Sequence, residues 1–562
     1  PISCAALAAA ALVAPALAQD VVGNEVIVVT APFGAAIGDI IPEATLDPED
    51  VASYGAGSVE ELLDALSPQT GSARGRGGGR PIVLLNGQRV SGFRELRDLP
   101  PEAIARVEIF PEELALRYGF RPDQRVVNLV LADNFAALTA EAEHGGSTQG
   151  GHSASEIEAT LTRIDAGGRL NLDVEYARAS SLTEAERGVI QPEGAPAAEA
   201  ASRTLIPASD RIEANASYNR RLSAAIAATL SGEYRYEDAH ALLGLAQSGP
   251  LARDTATRAG ELGLTLNGRT SGWQWSATAN YSRAAVTTRT DLEGEGREFA
   301  RGVSQGADAN ATAAGSPFAL PAGPLALSLS AGLEWRAIDS RVESADLVRT
   351  ASLDRTQANA RVTLDLPIAS RRNDVLAAIG DLSLNATLGY RRLSDFGGLT
   401  EYGYGLQWEP FEGLSLLASV IGEEAAPTLE QLGDPVIVTP GVVVFDFTRG
   451  VSVAVDRTTG GNPALPAEAR RDFKLTANIA PGGSDDLRFV AEYIRNRSEN
   501  VAAAFPLLTP EIEGAFPDRV TRDPAGDLVA IDARPVSFAE TRAERIRYGV
   551  NLSGRIGGGR GE

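Results

Sequence analysis

The chain has 562 residues, with 51 basic against 74 acidic side chains and a formal charge of −23. That acidity excludes nucleic acid as a partner, because a phosphate backbone rewards a basic face. Three histidines and one cysteine exclude a His/Cys zinc centre and a disulfide framework, and Lys474 as the single lysine excludes a catalytic or phosphate-loop lysine elsewhere.

Residues 1–18 read as a truncated secretory signal. Ala5 to Val13 is an apolar run, Pro15 breaks it, and Ala16-Leu17-Ala18 is a small-residue cleavage site. Cys4 precedes the run and leaves with it, which argues against a lipid anchor. Past residue 18 no apolar stretch reaches the roughly 18 residues of a membrane helix, so the remainder is a soluble β protein or a membrane β-barrel. Residues 19–39 form a short extension around one β-branched run, Val26-Ile27-Val28-Val29-Thr30. Such a run can add as a strand to another protein's sheet. It fits equally a plug strand or a valine-rich tail.

Residues 40–133 mix helix and strand signals. Ser58 with Glu61 predicts a capping box, and Val59, Leu62, Leu63 and Leu66 recur at helical spacing before Pro68. A Gly/Arg loop from Ser72 to Arg80 follows. Pro81 to Leu85 reads as a strand, Asn86-Gly87 as a tight hairpin turn, and Arg89-Val90-Ser91 as the return. Pro101 to Ile104 predicts one helical turn, and Arg106 to Phe110 a strand. Pro111 to Tyr118 reads as a short helix closed by Gly119, and Arg125 to Leu131 as a last strand.

Residues 134–562 alternate with period two. Leu325, Leu327, Leu329, Ala331, Leu333 and Trp335 share one face, against Ala326, Ser328, Ser330, Gly332, Glu334 and Arg336 on the other. The pattern returns at 361–366, 382–388 and 546–553. Runs of about ten residues suit a tilted membrane strand better than a sandwich strand of about five or six. The fold class is therefore mostly β: an antiparallel transmembrane β-barrel after an N-terminal α+β domain, with a large secreted β-sandwich or solenoid as the alternative. Aromatics make up only 6%. A sparse girdle is available from Trp273, Trp275, Tyr281, Trp335, Tyr390, Tyr402, Tyr404, Trp408, Tyr493 and Tyr548. The stretches 181–207, 291–307 and 421–465 are expected to be long loops on the outer face.

In their order these parts resemble the TonB-dependent outer-membrane receptors, and the resemblance makes the N-terminal α+β domain a plug domain. Glu25 to Ala31 is similar to their TonB box. Arg80-Pro81-Ile82-Val83-Leu84-Leu85-Asn86-Gly87-Gln88-Arg89-Val90 is similar to the plug strand and hairpin. Ile104 to Ile109, Tyr118-Gly119 and Val126 to Leu131 resemble the plug's closing pattern, with Gln124-Arg125 where many members have Gly-Gly. Ala426 to Leu432 resembles a barrel-loop segment. The resemblance implies import of a scarce or large solute, such as a siderophore, cobalamin or a glycan, across the outer membrane of a Gram-negative bacterium. The partners would be TonB with its inner-membrane motor, outer-membrane lipid and a small-molecule or glycan substrate. It implies no enzyme, cofactor or metal. A secreted β-rich binding or adhesion protein and a passive porin are the alternatives, and the plug-like region counts against both.

Other candidate residues have plain structural readings. The loop arginines Arg74, Arg76 and Arg80 sit among glycines that expose N–H groups, as a phosphate site would. They fit better as plug charges paired with lumen carboxylates such as Glu334 and Asp365. Glu112 and Glu113 are adjacent, so they do not face each other on a helix. His144 and His152 flank a Gly-rich turn. About 16 spanning strands fit between Phe135 and Arg555, against about 22 in plugged transporters. The first and last strands are accordingly expected not to pair, and the barrel to be incomplete.

Overall fold

The structure is a computed structural model. It describes residues 42 and 44–561, except 71–80, 98, 111–124, 192–195, 197, 248, 293–295, 345–346, 435, 482–486, 553 and 557–558. The run Val26–Thr30, the loop arginines Arg74, Arg76 and Arg80, and the helix expected from Pro111 lie outside the described residues.

The plug begins with β1 (Ala44–Leu46) and two short helices, α1 (Pro48–Ser53) and α2 (Val59–Ala65). Asp47 caps α1, accepting from the amides of Glu49 and Asp50 at 2.9 Å each, while Asp50 accepts the Asp47 amide at 3.0 Å. Ser58 caps α2 through the Glu61 amide at 3.3 Å. The reciprocal half of the expected box is shifted: Glu61 takes the amide of Gly57 instead, at 2.7 Å. Val59, Leu62, Leu63 and Leu66 all point into the plug core.

Four more plug strands follow: β2 (Ile82–Leu85), β3 (Gln88–Arg89), β4 (Ile104–Phe110) and β5 (Val126–Leu131). The sheet order is β1-β4-β5-β2-β3, with β2 and β5 parallel. Asn86 and Gly87 turn the hairpin at φ 50° and 72°, the left-handed pair a two-residue turn requires. Asparagine has a second role here. Asn86 Oδ1 accepts the Leu131 amide at 3.0 Å, and Asn128 Oδ1 accepts the Gly87 amide at 2.8 Å, so both lock the hairpin to β5.

The wall is one sixteen-stranded antiparallel sheet. In chain order it holds β6 (Phe135–Gly146), β7 (Ser153–Asp165) and β8 (Gly168–Ala179). A loop with β9 (Leu182–Thr183) and β10 (Thr204–Ile206) leads to β11 (Ala208–Arg221). Then come β12 (Ile226–Ala246), β13 (Gly249–Thr270), β14 (Trp273–Asp291), β15 (Arg297–Leu320), β16 (Gly323–Ser344) and β17 (Leu347–Ala369). They are followed by β18 (Asp381–Leu393), β19 (Gly397–Phe411) and β20 (Leu414–Ala425). A second loop with β21 (Ile437–Asp446) and β22 (Val451–Thr459) precedes β23 (Glu468–Ile479) and β24 (Leu487–Ala503). A third, with β25 (Val520–Arg522) and β26 (Leu528–Asp532), precedes β27 (Val536–Leu552). β6 and β27 are the two edges, with no pairing between them among the described residues.

Alternation sorts the wall as expected. Leu329 and Leu333 are exposed on the outside, while Ser328 is buried on the lumen side. One loop expectation is corrected. Residues 297–307 are strand, with every residue of Arg297–Ala307 paired to β14, so the 291–307 stretch is a short connection on a strand longer than the bilayer needs. Likewise 421–425 belongs to β20.

The short connections 166–167, 222–225, 271–272, 321–322 and 412–413 share the end where the plug linker enters the wall. The long loops 180–207, 426–467 and 504–535 share the other end. Many outward aromatics fall near two heights, with Tyr404, Tyr493 and Tyr548 between them. Trp273, Trp275 and Trp408 lie within a few residues of the short-turn end, and Tyr234, Tyr236, Tyr281, Trp335 and Tyr390 about eight to twelve residues up. A strand tilted about 40° climbs about 2.5 Å per residue, so the belts bracket an apolar band about 25 Å tall.

Candidate functional site: the plug seam and the loop cap

The plug is held to the wall by polar contacts. Ser91, just after the hairpin, donates its amide and hydroxyl to Glu95 Oε2 at 3.1 and 3.2 Å. The other Glu95 oxygen accepts from Arg169 of β8 at 2.9 Å, and both side chains are almost wholly buried, at 2% and 4% exposure. Ser91 Oγ also meets Ser231 Oγ of β12 at 3.0 Å. Arg97 pairs with Glu213 of β11 and lies 3.6 Å from Glu60 within the plug. Wall amides complete the seam: Asn267 donates to Arg89 O at 3.0 Å, Asn280 to Ser91 O at 3.1 Å, and Gln274 to Gly87 O at 3.3 Å. Arg89 itself donates to Thr312. Burial pushes its guanidinium down to about 10, with Arg361 adding to the effect and Asp308 opposing it.

This arrangement has a mechanical meaning. Polar contacts can be exchanged for water as they break, so such a plug can be moved without exposing a large apolar interface. Among the described residues, Phe135 and Ile164 of the wall join the plug core by apolar contact at its base.

Beside the seam, the lumen face of β6, β7, β8 and β11 carries glutamates in one register row. Glu141 stands opposite Glu158, Glu158 opposite Glu175, and Glu175 opposite Glu213. Like charges directly opposite are unfavourable and demand cations. Arg211 answers Glu175, and the plug's Arg97 answers Glu213. Glu334, one of the carboxylates expected to receive a plug arginine, pairs with Arg336 two residues along its own strand; the loop arginines themselves lie outside the described residues.

At the opposite end, two long loops fold together. β21, β22, β26 and β25 form a four-stranded sheet, in which β22 and β26 run parallel and come from different loops. Val455, Leu508, Leu528 and Ile531 make its core. Arg522 joins the loops, donating to Asp446 at 2.7 and 3.0 Å and to Glu513 at 2.5 and 2.8 Å. These contacts hold both carboxyls below their ordinary range, Asp446 through Arg522 first and the amides of Thr448 and Arg449 after it. A short helix, Leu429–Gly433, is capped by Thr428 with Gln431 as a full capping box. Arg355 of β17 donates to Pro427 O at 3.0 Å, tying this loop across the mouth.

Among the described residues no cluster of His, Cys, Asp or Glu could hold a metal, and no helix is long and apolar enough to cross a membrane. His144 and His152 lie on either side of the β6–β7 turn, bonded to Ser155 and to Ser180 O respectively.

A small mixed sheet seated in an antiparallel barrel wall is the architecture of TonB-dependent outer-membrane receptors, and the chain has that fold. No family model and no curated protein matches it. Among solved structures, the ferric enterobactin receptor PfeA of Pseudomonas aeruginosa matches with a TM-score of 0.58 at 13% identity, over 91% of this chain and 78% of that one. The siderophore receptor PirA from Pseudomonas aeruginosa matches at 0.53 and 15% identity, over 91% and 82%. The RagAB peptide importer matches at 0.53 and 10% identity, over 91% and 71%. These neighbours are transport receptors, not enzymes.

Proposed function

We propose that the chain is an outer-membrane receptor that imports a scarce or large solute, a siderophore, cobalamin, a glycan or similar, with energy delivered by TonB. The observation that carries this is the buried polar seam around Glu95 and Arg169, which fills the wall with a plug yet leaves it removable. A passive porin has no use for such a plug. The two siderophore-receptor neighbours favour an iron chelate within that range.

On this reading Val26–Thr30 is the TonB box. Its β-branched residues favour the extended backbone that strand addition to TonB uses. Arg74, Arg76 and Arg80 act as plug charges, and the glutamate row Glu141–Glu158–Glu175–Glu213 offers the matching carboxylates on the wall. Val28→Pro removes a backbone donor and should abolish crosslinking of TonB to residues 26–30. Crosslinking that survives this substitution would remove the box assignment.

A further inference from the structure

The outward face at the height of the upper aromatic belt carries two arginines on neighbouring strands. Arg283 lies on the same face of β14 as Tyr281, and Arg258 on the same face of β13 as Leu262 and Leu264, all exposed. Arg283 stands opposite Gly260 and Arg258 opposite Ala285. The two arginines are therefore diagonal neighbours, within reach of each other's long side chains, over a pair of residues with almost no side chain. The Arg258 guanidinium lies over the Tyr236 ring, 5.6 Å from its centroid.

Neither arginine has a carboxylate partner among the described residues. Two other outward arginines at this height do, Arg178 at 3.7 Å from Asp210 and Arg497 at 3.1 Å from Glu540. Arg392, on the face of Leu388 and Tyr390, has none among the described residues but also has no second arginine diagonal to it. At about ten to twelve residues above the short turns, the pair sits where the apolar band ends and lipid headgroups begin. Two arginines at diagonal positions around Gly260 and Ala285, one of them over the Tyr236 ring, supply the chemistry for a phosphate that is itself attached to an acyl chain.

We propose that Arg258 and Arg283 form a clamp for the headgroup phosphate of an anionic lipid in the outer leaflet. The phosphate sits over Gly260 and Ala285, and Tyr236 and Tyr281 border it at the level of the glycerol or sugar. The clamp rests on the chain standing in the outer membrane with its long loops outside.

Full-length protein is inserted into vesicles of phosphatidylcholine and phosphatidylglycerol in equal parts, then released into detergent, and its retained lipid is counted by native mass spectrometry. The protein should keep phosphatidylglycerol in preference to phosphatidylcholine. Arg258→Gln with Arg283→Gln should weaken that retention roughly thirtyfold, from about one Arg–headgroup interaction lost at each position. Arg336→Gln, on the lumen face, should retain lipid like the parent. Equal retention by parent and double variant would overturn the clamp, as would equal retention of the two lipids by the parent. Displacement of the lipid by inorganic phosphate would also overturn it, by making the site a general anion site. Insertion without lipid preference rejects the clamp alone, whereas failure to enter vesicles at all rejects the membrane reading with it.

Discussion

Substituting Glu95→Ala leaves the Arg169 guanidinium buried at 4% exposure without its 2.9 Å partner, and strips the Ser91 amide and hydroxyl of their acceptor. Removing one member of a buried ion pair typically costs about 3–5 kcal/mol, because the remaining charge stays desolvated. Water entering around the hairpin recovers part of this, so about 3 kcal/mol is expected to fall on plug docking. That corresponds to an undocked population larger by about two orders of magnitude. Conductance of the protein in planar bilayers should then show frequent openings that the parent lacks. Plug amides in β2 and β5 should exchange with deuterium correspondingly faster. The double change Glu95→Leu with Arg169→Met removes both charges and should restore most of the closed behaviour. Parent-like conductance and exchange in Glu95→Ala, with heat-modifiable migration intact, would refute the reasoning. So would a double variant as leaky as the single one.

Gly263 faces the seam, where an added Cβ would come within 2.5 Å of Ser231 Oγ and 2.8 Å of Ser91 Oγ; Gly263→Val should displace the hairpin and raise leakage of large solutes. The loop cap should be acid-labile. Asp446 and Glu513 have folded values held below the unfolded range, so their contribution is complete above about pH 4–5 and is lost as pH falls through the folded values. Proteolysis of the 504–535 loop should accelerate at acid pH, and Arg522→Ala should make cleavage fast already at neutral pH, with a flatter acid dependence. Replacing Glu158 and Glu175 with Gln relieves a like-charge row; if the plug arginines use that row, plug exchange should rise, and unchanged exchange would place their partners elsewhere.

Local pattern carried the wall and much of the plug. Period-two alternation marked the long strands, Asn86-Gly87 marked the hairpin, and Ser58 with its apolar stripe marked α2. The first plug helix was missed, although Asp47-Pro48-Glu49-Asp50 is a cap followed by proline at the first helical position. The loop cap was not legible. Its decisive pairing sets Asp456 beside Ala530, which no local signal announces. The seam was hidden for the same reason. Glu95 and Arg169 are ordinary isolated charges until the plug is seated, and Ser91 and Ser231 are unremarkable hydroxyls. The 291–307 stretch looked like a loop because its glycines and charges suit turns. In the structure they extend strands well beyond the apolar band of the wall, where both faces are polar and apolar alternation has no reason to persist.

The most direct test of energised import is solute uptake by cells producing the parent or Val28→Pro, each with and without a functioning inner-membrane motor. The substrate can be supplied as a panel of radiolabelled ferric chelates. The account predicts uptake by the parent only when the motor is present. Val28→Pro should show none, with equal protein in the outer membrane and equal heat-modifiable migration. Uptake that continues without the motor, or through Val28→Pro at the parent's rate, would contradict it.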